Sequence, residues 1–261
     1  MSDPAPTLAT QDLRLGYRER AVIDGLNLSF PPGAVTAILG PNGCGKSTLL
    51  HALARLAPPR AGRVTLGGED VARMAPRALA RRLAILPQSP VAPEGITVAE
   101  LVRRGRAPWR GLLAPFSAAD AQACAEALAA VAMTGLAERP MAELSGGQRQ
   151  RAWVALVLAQ ATPLLLLDEP TTFLDLPHQI ELLALLRRRN RAAGTTVIAV
   201  LHDLNLAARF CDHLVLLGPD GLVAEGPPDR VMTEAALMRA FGLAARVLPD
   251  PVTGGPMVVP L

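Results

Sequence analysis

Apolar and polar residues alternate along Leu8–Tyr17 and again along Val22–Phe30. That period of two predicts two strands, each buried on one face. A polar break, Arg18-Glu19-Arg20, separates them, and Pro31-Pro32-Gly33 turns the chain after the second. The pattern then changes. Val35–Leu39 and Leu164–Leu167 are short apolar runs without that alternation, as expected of parallel strands covered on both faces. Arg63–Leu66, Leu83–Leu86, Thr195–Leu201 and Leu214–Leu217 are further short strands. Helices are predicted over Ser47–Leu56, Arg77–Arg82, Val98–Arg104, Ala118–Met133, Ser145–Ala161, Pro177–Ala193 and Leu204–Phe210. Gly221–Gly226 and a short helix, Glu234–Phe241, close the chain, with a Pro/Gly-rich tail beyond.

Strands that alternate with helices imply a parallel sheet. Between about Ser89 and Leu158 the pattern is helical only, interrupted by a Pro/Gly-broken connector, Arg106–Phe116, that carries Trp109. The chain therefore reads as α/β. A single domain over residues 1–261 is expected, with a core of about 1–88 and 159–261 and a helical subdomain inserted at about 89–158.

Composition narrows this only slightly. Half of the residues are hydrophobic and 3% are aromatic, so aliphatic side chains must fill the core. The net charge of +3 comes from arginine and does not by itself imply nucleic acid. Cys44, Cys124 and Cys211 are an odd number at wide spacing, which fits neither a zinc pattern nor a disulfide framework and favours a reducing compartment. The start lacks the basic and apolar regions of a signal peptide. The longest apolar stretch, Val154–Leu167, is broken by Gln160, Thr162 and Pro163, so no membrane span is expected.

The chemistry begins at Gly40–Thr48, Gly-Pro-Asn-Gly-Cys-Gly-Lys-Ser-Thr. Gly40, Gly45, Lys46 and Ser47 fit the phosphate-loop pattern G-x-x-x-x-G-K-[ST], between a strand and a helix as that pattern requires. Pro41, Asn42, Gly43, Cys44 and Thr48 complete the expected nucleotide-binding loop, whose backbone N–H groups (Pro41 has none) and positive helix end suit anionic phosphates. Lys46 is expected to reach the β- and γ-phosphates, and the Ser47 hydroxyl to ligate Mg2+. Lys46 is also the only lysine in the chain, among many arginines. The small side chain of Cys44 reads as filler.

Leu164–Leu167 would deliver Asp168 to the carboxyl end of a buried strand, where open α/β sheets bind ligands. Asp168 is expected to hold Mg2+, and Glu169 beside it to polarise an attacking water as general base. Ser145 is a good N-cap for the helix that follows it, and Gly146 and Gly147 leave N–H groups open at that helix's positive end.

At this point the sequence resembles the ATP-binding-cassette (ABC) ATPases over essentially its whole length. Leu144-Ser145-Gly146-Gly147-Gln148 matches the signature sequence of that family. The resemblance implies a P-loop NTPase core with a mainly parallel sheet, an N-terminal antiparallel β subdomain and the helical insertion. It implies that Tyr17 stacks on adenine and that Gln88 contacts Mg2+ and the membrane partner. It also implies that Asp175, after Leu174, communicates between subunits and that His202 contacts the γ-phosphate. It further implies a head-to-tail homodimer. ATP would lie between the phosphate loop of one chain and Ser145, Gly146, Gly147 and Gln148 of the other. Catalytic roles fall to Glu169, His202 and Lys46, with Ser47, Gln88 and Asp168 at the metal.

A single cassette with its glutamine loop resembles a transporter subunit that meets separate permease chains. Ile96-Thr97-Val98, Gly105–Pro108, Pro170–Asp175 and Leu201–Asn205 look like the iron-siderophore, haem and vitamin B12 uptake group. The tail Asp250–Pro256 is most similar to ferric-siderophore importers, while Trp109 departs from the histidine common in that group. The expected role is ATP-driven uptake of ferric siderophore at the cytoplasmic face of the inner membrane, with a substrate-binding protein as indirect partner. Haem or vitamin B12 is the alternative cargo. A soluble ATPase acting on nucleic acid or ribosomes is the alternative class; it usually has two cassettes or long coiled-coil insertions. Arg187–Arg189 and Arg191 read as a solvated helix face, and no nucleic acid is expected.

Overall fold

The computed structural model describes residues 6–17, 20–111 and 114–261. The expected break at residues 18–19 and part of the connector at residues 112–113 lie outside the described residues. In chain order the elements are β1 (Leu8–Tyr17), β2 (Arg20–Phe30), β3 (Val35–Leu39), α1 (Lys46–Leu53), β4 (Ala61–Leu66), β5 (Glu69–Asp70), α2 (Pro76–Arg82) and β6 (Leu83–Leu86). The helices α3 (Val98–Arg104), α4 (Ala118–Ala130) and α5 (Gly146–Ala159) follow. Then come β7 (Leu164–Asp168), α6 (Leu176–Ala193), β8 (Thr196–Val200), α7 (Leu204–Phe210), β9 (His213–Gly218) and β10 (Gly221–Gly226). The chain ends with α8 (Pro228–Val231), α9 (Glu234–Phe241), β11 (Ala245–Pro249) and β12 (Pro256–Pro260).

The central sheet has the order β10-β9-β3-β8-β7-β6. It is parallel except where β10 folds back on β9. A second sheet, β2-β1-β4-β5, is antiparallel. Successive side chains of a strand face opposite sides, and the two apolar cores divide by that rule. Leu164 and Leu166 of β7 join Ile38, Ile198, Val200, Val215 and the buried face of α1 and the antiparallel sheet. Leu165 and Leu167 join Ala37, Leu39, Val197, Ala199 and the helices on the other side. Asp168 has the parity of Leu164 and Leu166, so it points toward α1. A buried strand five residues long thus aims its final carboxylate at the helix that begins with Lys46 and Ser47.

Helices α3, α4 and α5 pack on one another. Ser117 and Asp120 form a capping box at the start of α4. Buried Arg106 joins α4 to α5, its Nε 2.9 Å from Asp120 Oδ1 and its Nη1 donating to Ala159 O at 2.8 Å. Trp109 ties this unit to the core. Its Nε1 donates to Gln160 O at 2.6 Å, and Gln160 Nε2 donates in turn to Ala80 O and Leu83 O. Arg81 and Arg106 both lie against the ring, 5.3 and 5.6 Å from its centroid.

Three expected helices stop short. α1 ends at Leu53 and not Leu56, α4 at Ala130 and not Met133, α5 at Ala159 and not Ala161. Near each end a non-glycine residue takes a left-handed conformation: Arg55 (φ 59°), Ala132 (φ 54°) and Ala161 (φ 53°). The Pro/Gly-rich tail is also ordered. It forms the hairpin β11–β12, and Arg209 of α7 clamps Asp250 at the turn through two guanidinium nitrogens. The arginine run on α6 is not wholly a solvated face. Arg187 donates to Arg209 O at 3.1 Å, and Arg189 is half-buried, with burial pulling its guanidinium pKa down. All three cysteines are buried and free.

Candidate nucleotide site

The loop between β3 and α1 starts at Gly40, whose φ of 151° is open to glycine; a Cβ there would sit 2.5 Å from Leu217 O. Buried Lys46 donates through Nζ to Gly40 O at 2.8 Å and Pro41 O at 2.9 Å, so its ammonium lies inside the curl of the loop. Cys44 packs beneath it, and burial pushes the thiol up despite the neighbouring Lys46 charge. This fits the reading of Cys44 as a small filler.

Ser47 Oγ donates to Asp168 Oδ1 at 2.9 Å. Asp168 is fully buried, and burial raises its carboxyl above the ordinary range although the Ser47 bond opposes it. Its Oδ2 is sealed from solvent without a hydrogen bond. A hydroxyl that gives its proton to a carboxylate turns its lone pairs elsewhere, and an unsatisfied buried carboxylate oxygen asks for positive charge. Hard oxygen donors of this kind suit Mg2+, which takes few protein ligands and keeps water and phosphate oxygens. Among the described residues no group of three or more His, Cys, Asp or Glu could hold a metal unaided. The donor set therefore fits a cation that arrives with its own phosphate ligands.

Glu169 leaves the strand parity. Its φ of 51° turns the chain, a left-handed conformation that non-glycine residues seldom adopt. The turn brings its Oε1 to 2.8 Å from His202 Nε2, beyond the end of β8, while Oε2 accepts from Thr172 Oγ1 at 3.2 Å. Burial raises the Glu169 carboxyl, but hydrogen bonds from His202 and Gln88 outweigh it and leave the group below its usual value. The residue is thus ionised at neutral pH. Asn42, Gly43, Gly45, Lys46, Ser47, Thr48, Gln88, Glu169 and His202 line one cleft of about 750 Å3, together with Val22 of β2.

Ser145, Gly146, Gly147 and Gln148 do not line that cleft. Ser145 Oγ accepts from Gln148 N at 3.2 Å and Gln148 Oε1 accepts from Ser145 N at 3.0 Å, a reciprocal cap on α5. Gln150 donates to Pro170 O at 3.0 Å, tying α5 to the segment after β7. A Cβ on Gly147 would come to 3.2 Å from Leu174. Asp175 caps α6 through His178 N, and its carboxyl bond to the His178 ring holds it below the ordinary value. Tyr17 ends β1, but its side chain lies outside the described residues. Two residues of the site were not anticipated, Val22 and Thr172. Thr172 could have been found, since it stands three residues after Glu169 in a Pro-Thr-Thr turn; Val22 had only its place in an alternating strand.

Residues 23–172, more than half of the chain, match the family described as ABC transporter. The chain belongs to that family. This ABC cassette is 50% identical over 253 residues to the achromobactin transport ATP-binding protein CbrD of Dickeya dadantii (strain 3937), covering 97% of this chain and 94% of that one. It is 47% identical over 261 residues to the ferric enterobactin transport ATP-binding protein FepC of Escherichia coli (strain K12), covering 100% and 96%. Its fold superposes on a solved metal-chelate type ABC transporter in an inward-facing conformation with a TM-score of 0.85 at 28% identity, covering 98% of both chains. The expected α/β architecture, with mainly parallel sheet, antiparallel β-sheet and helical segments, is the one found. The cassette is an ATP-binding subunit, and among its described residues no helix is long and apolar enough to cross a membrane.

Proposed function

We propose that the chain is the ATP-hydrolysing subunit of a ferric-siderophore importer, acting through separate permease subunits at the cytoplasmic face of the inner membrane. A substrate-binding protein would select the cargo outside. The observation that carries the ATPase reading is the single cleft that joins the phosphate loop, Gln88, Glu169 and His202. The cargo class follows from the relatives, whose names specify achromobactin and ferric enterobactin transport. We read the chain as one domain, with residues 1–88 and 159–261 as its core and about 89–158 as the helical subdomain.

ATP is the substrate. The loop amides of Gly40–Thr48 and the Lys46 ammonium hold its β- and γ-phosphates. Ser47, Asp168 and Gln88 would hold Mg2+, which offsets phosphate charge when bound. Glu169, ionised and aimed by its backbone turn, accepts a proton from the attacking water as the water's oxygen bonds to the γ-phosphorus and the bond to the ADP oxygen breaks. His202 orients that carboxylate through the 2.8 Å contact and stabilises charge on the γ-phosphate. Tyr17 would stack on adenine. Ser145, Gly146, Gly147 and Gln148 stand outside the cleft, which supports a head-to-tail dimer in which they close the nucleotide site of the partner copy, with Asp175 at the seam.

Substituting Glu169→Gln keeps the shape of the base and removes its charge. The variant should co-purify with permease and bind ATP while turnover falls by at least a hundredfold, as expected for loss of a general base, and ferric-siderophore uptake stops with it. Normal iron uptake alongside lost hydrolysis would remove the siderophore assignment and direct the search to haem or vitamin B12. A chain that left the membrane fraction to follow ribosomes or DNA would overturn the importer reading.

A further inference from the structure

Behind the phosphate loop, Asp168 Oδ2 has a polar neighbour that the steps above do not use, His51 Nε2. Asp168 Oδ2 and His51 Nε2 are both sealed from solvent, and neither has a hydrogen bond among the described residues. They face each other at 3.5 Å. Buried polar atoms without partners are uncommon, and two of them in apposition point to one shared task. The geometry of α1 explains why they meet. His51 follows Ser47 by four residues, so both side chains leave the same face of the helix, one turn apart. Asp168, pointing toward α1 by strand parity, is therefore met twice by one helix. Ser47 Oγ lies 2.9 Å from Oδ1, and the His51 ring lies against Oδ2.

We propose that His51 is a positioning residue for Asp168, and that by fixing the second carboxylate oxygen it sets how well the Ser47–Asp168 pair grips a divalent cation. The inference rests on the reading of that pair as the cation site. The ring Nε2 has the chemistry to donate to Oδ2, which leaves the carboxylate unable to rotate away from Ser47. An alanine there leaves Oδ2 without a neighbour to hold it. A glutamine can extend an amide donor to the same oxygen. Loss of an outer partner of a ligating carboxylate typically costs about 10–100-fold in metal affinity.

The test uses the full-length chain with the nonhydrolysable analogue AMPPNP, its binding followed by calorimetry with and without added Mg2+. His51→Ala should raise the Mg2+ concentration needed for half-maximal tightening by about tenfold, with metal-free nucleotide affinity unchanged. His51→Gln should recover most of that loss. Asp168→Asn should abolish the Mg2+ response. If Asp168→Asn abolishes it and His51→Ala does not shift it, the inference falls and the cation site stands. A lower melting temperature in both His51 variants with an unmoved Mg2+ response would likewise overturn it, as a purely structural role. If Asp168→Asn itself leaves the response intact, the reading of the cation site fails first.

Discussion

Two residues of the cleft hold conformations that their neighbours must enforce. Glu169 sits at φ 51° directly after a regular strand, and Gly40 sits at φ 151° directly after another. The first is a left-handed residue with a side chain, and left-handed backbone costs roughly 1–2 kcal/mol. Its return is direction: the carboxylate reaches His202 rather than continuing the alternation toward the core on the side opposite α1. The second tolerates no side chain. Gly40→Ala should destabilise the chain by roughly 2 kcal/mol, lowering the melting temperature by about 4–8 °C, and should weaken nucleotide binding more than that loss explains. Thermal melts with and without ATP separate the two effects; a variant that melts lower but gains the same stabilisation from ATP would show that the loop absorbs the methyl group. At this scale the sequence was legible where a residue's job is local. The places of Lys46 and Ser47 at the start of α1 and of Ser145 at the cap of α5 were readable from their immediate neighbours. The pairings of Glu169 with His202 and His51 with Asp168 join positions far apart in the chain, and only the sheet order brings them together.

The helices show where element boundaries become readable. α6 and α9 end in Gly194 and Gly242, both left-handed, and the predicted ends at Ala193 and Phe241 match. α1, α4 and α5 end near arginine or alanine in the same conformation, and there the helical spacing overran. The turn geometry is common to both groups; only glycine advertises it. The hairpin β11–β12 went unread for a different reason. Its strands begin or end in proline, its turn resembles a loop, and its anchor Arg209 lies in another element. That anchor also predicts a pH dependence. Hydrogen bonds from Arg209 hold the Asp250 carboxyl at about 2. A carboxyl whose folded pKa is depressed stabilises the fold above its ordinary value near ~4, and the contribution is lost as pH falls toward the folded value. The melting temperature of Asp250→Asn should therefore fall below wild type at pH 6, and the gap should close as both are titrated below about pH 3. A gap that stayed constant over that range would mean the carboxylate charge is not what holds the hairpin.

Across the whole molecule, the cleft and the signature helix are built in one chain but do not meet within it. The phosphate loop and Glu169 lie at the carboxyl ends of β3 and β7, whereas Ser145–Gln148 cap a helix that packs with α3 and α4. Each half is rigidly made: Ser145 and Gln148 cap α5 reciprocally, and Gln150 fixes that helix to Pro170. If the cap of α5 binds anions as proposed, it does so with no phosphate loop beside it, and head-to-tail pairing of two chains would close two such sites at once. Complementation tests this. A chain with Lys46→Ala and a chain with Ser145→Arg should each be inactive alone. Mixed, they should regain turnover, because a mixed dimer keeps one site made of an intact loop and an intact signature. No recovery on mixing, with both variants folded, would leave the two anion sites unconnected.

The placement of Lys46 has one further consequence. It is the only lysine of the chain, and its amine is folded under the carbonyls of Gly40 and Pro41. Arginine carries every other fixed side-chain cation, so chemistry that marks proteins through side-chain amines has a single address here. Acylation, carbamylation or conjugation to another protein's carboxyl terminus would have to enter that loop, and each would remove the charge proposed to hold phosphate. On that proposed role, tagging through lysine and switching off would be the same event, and the rest of the chain's side-chain cations are silent to that chemistry.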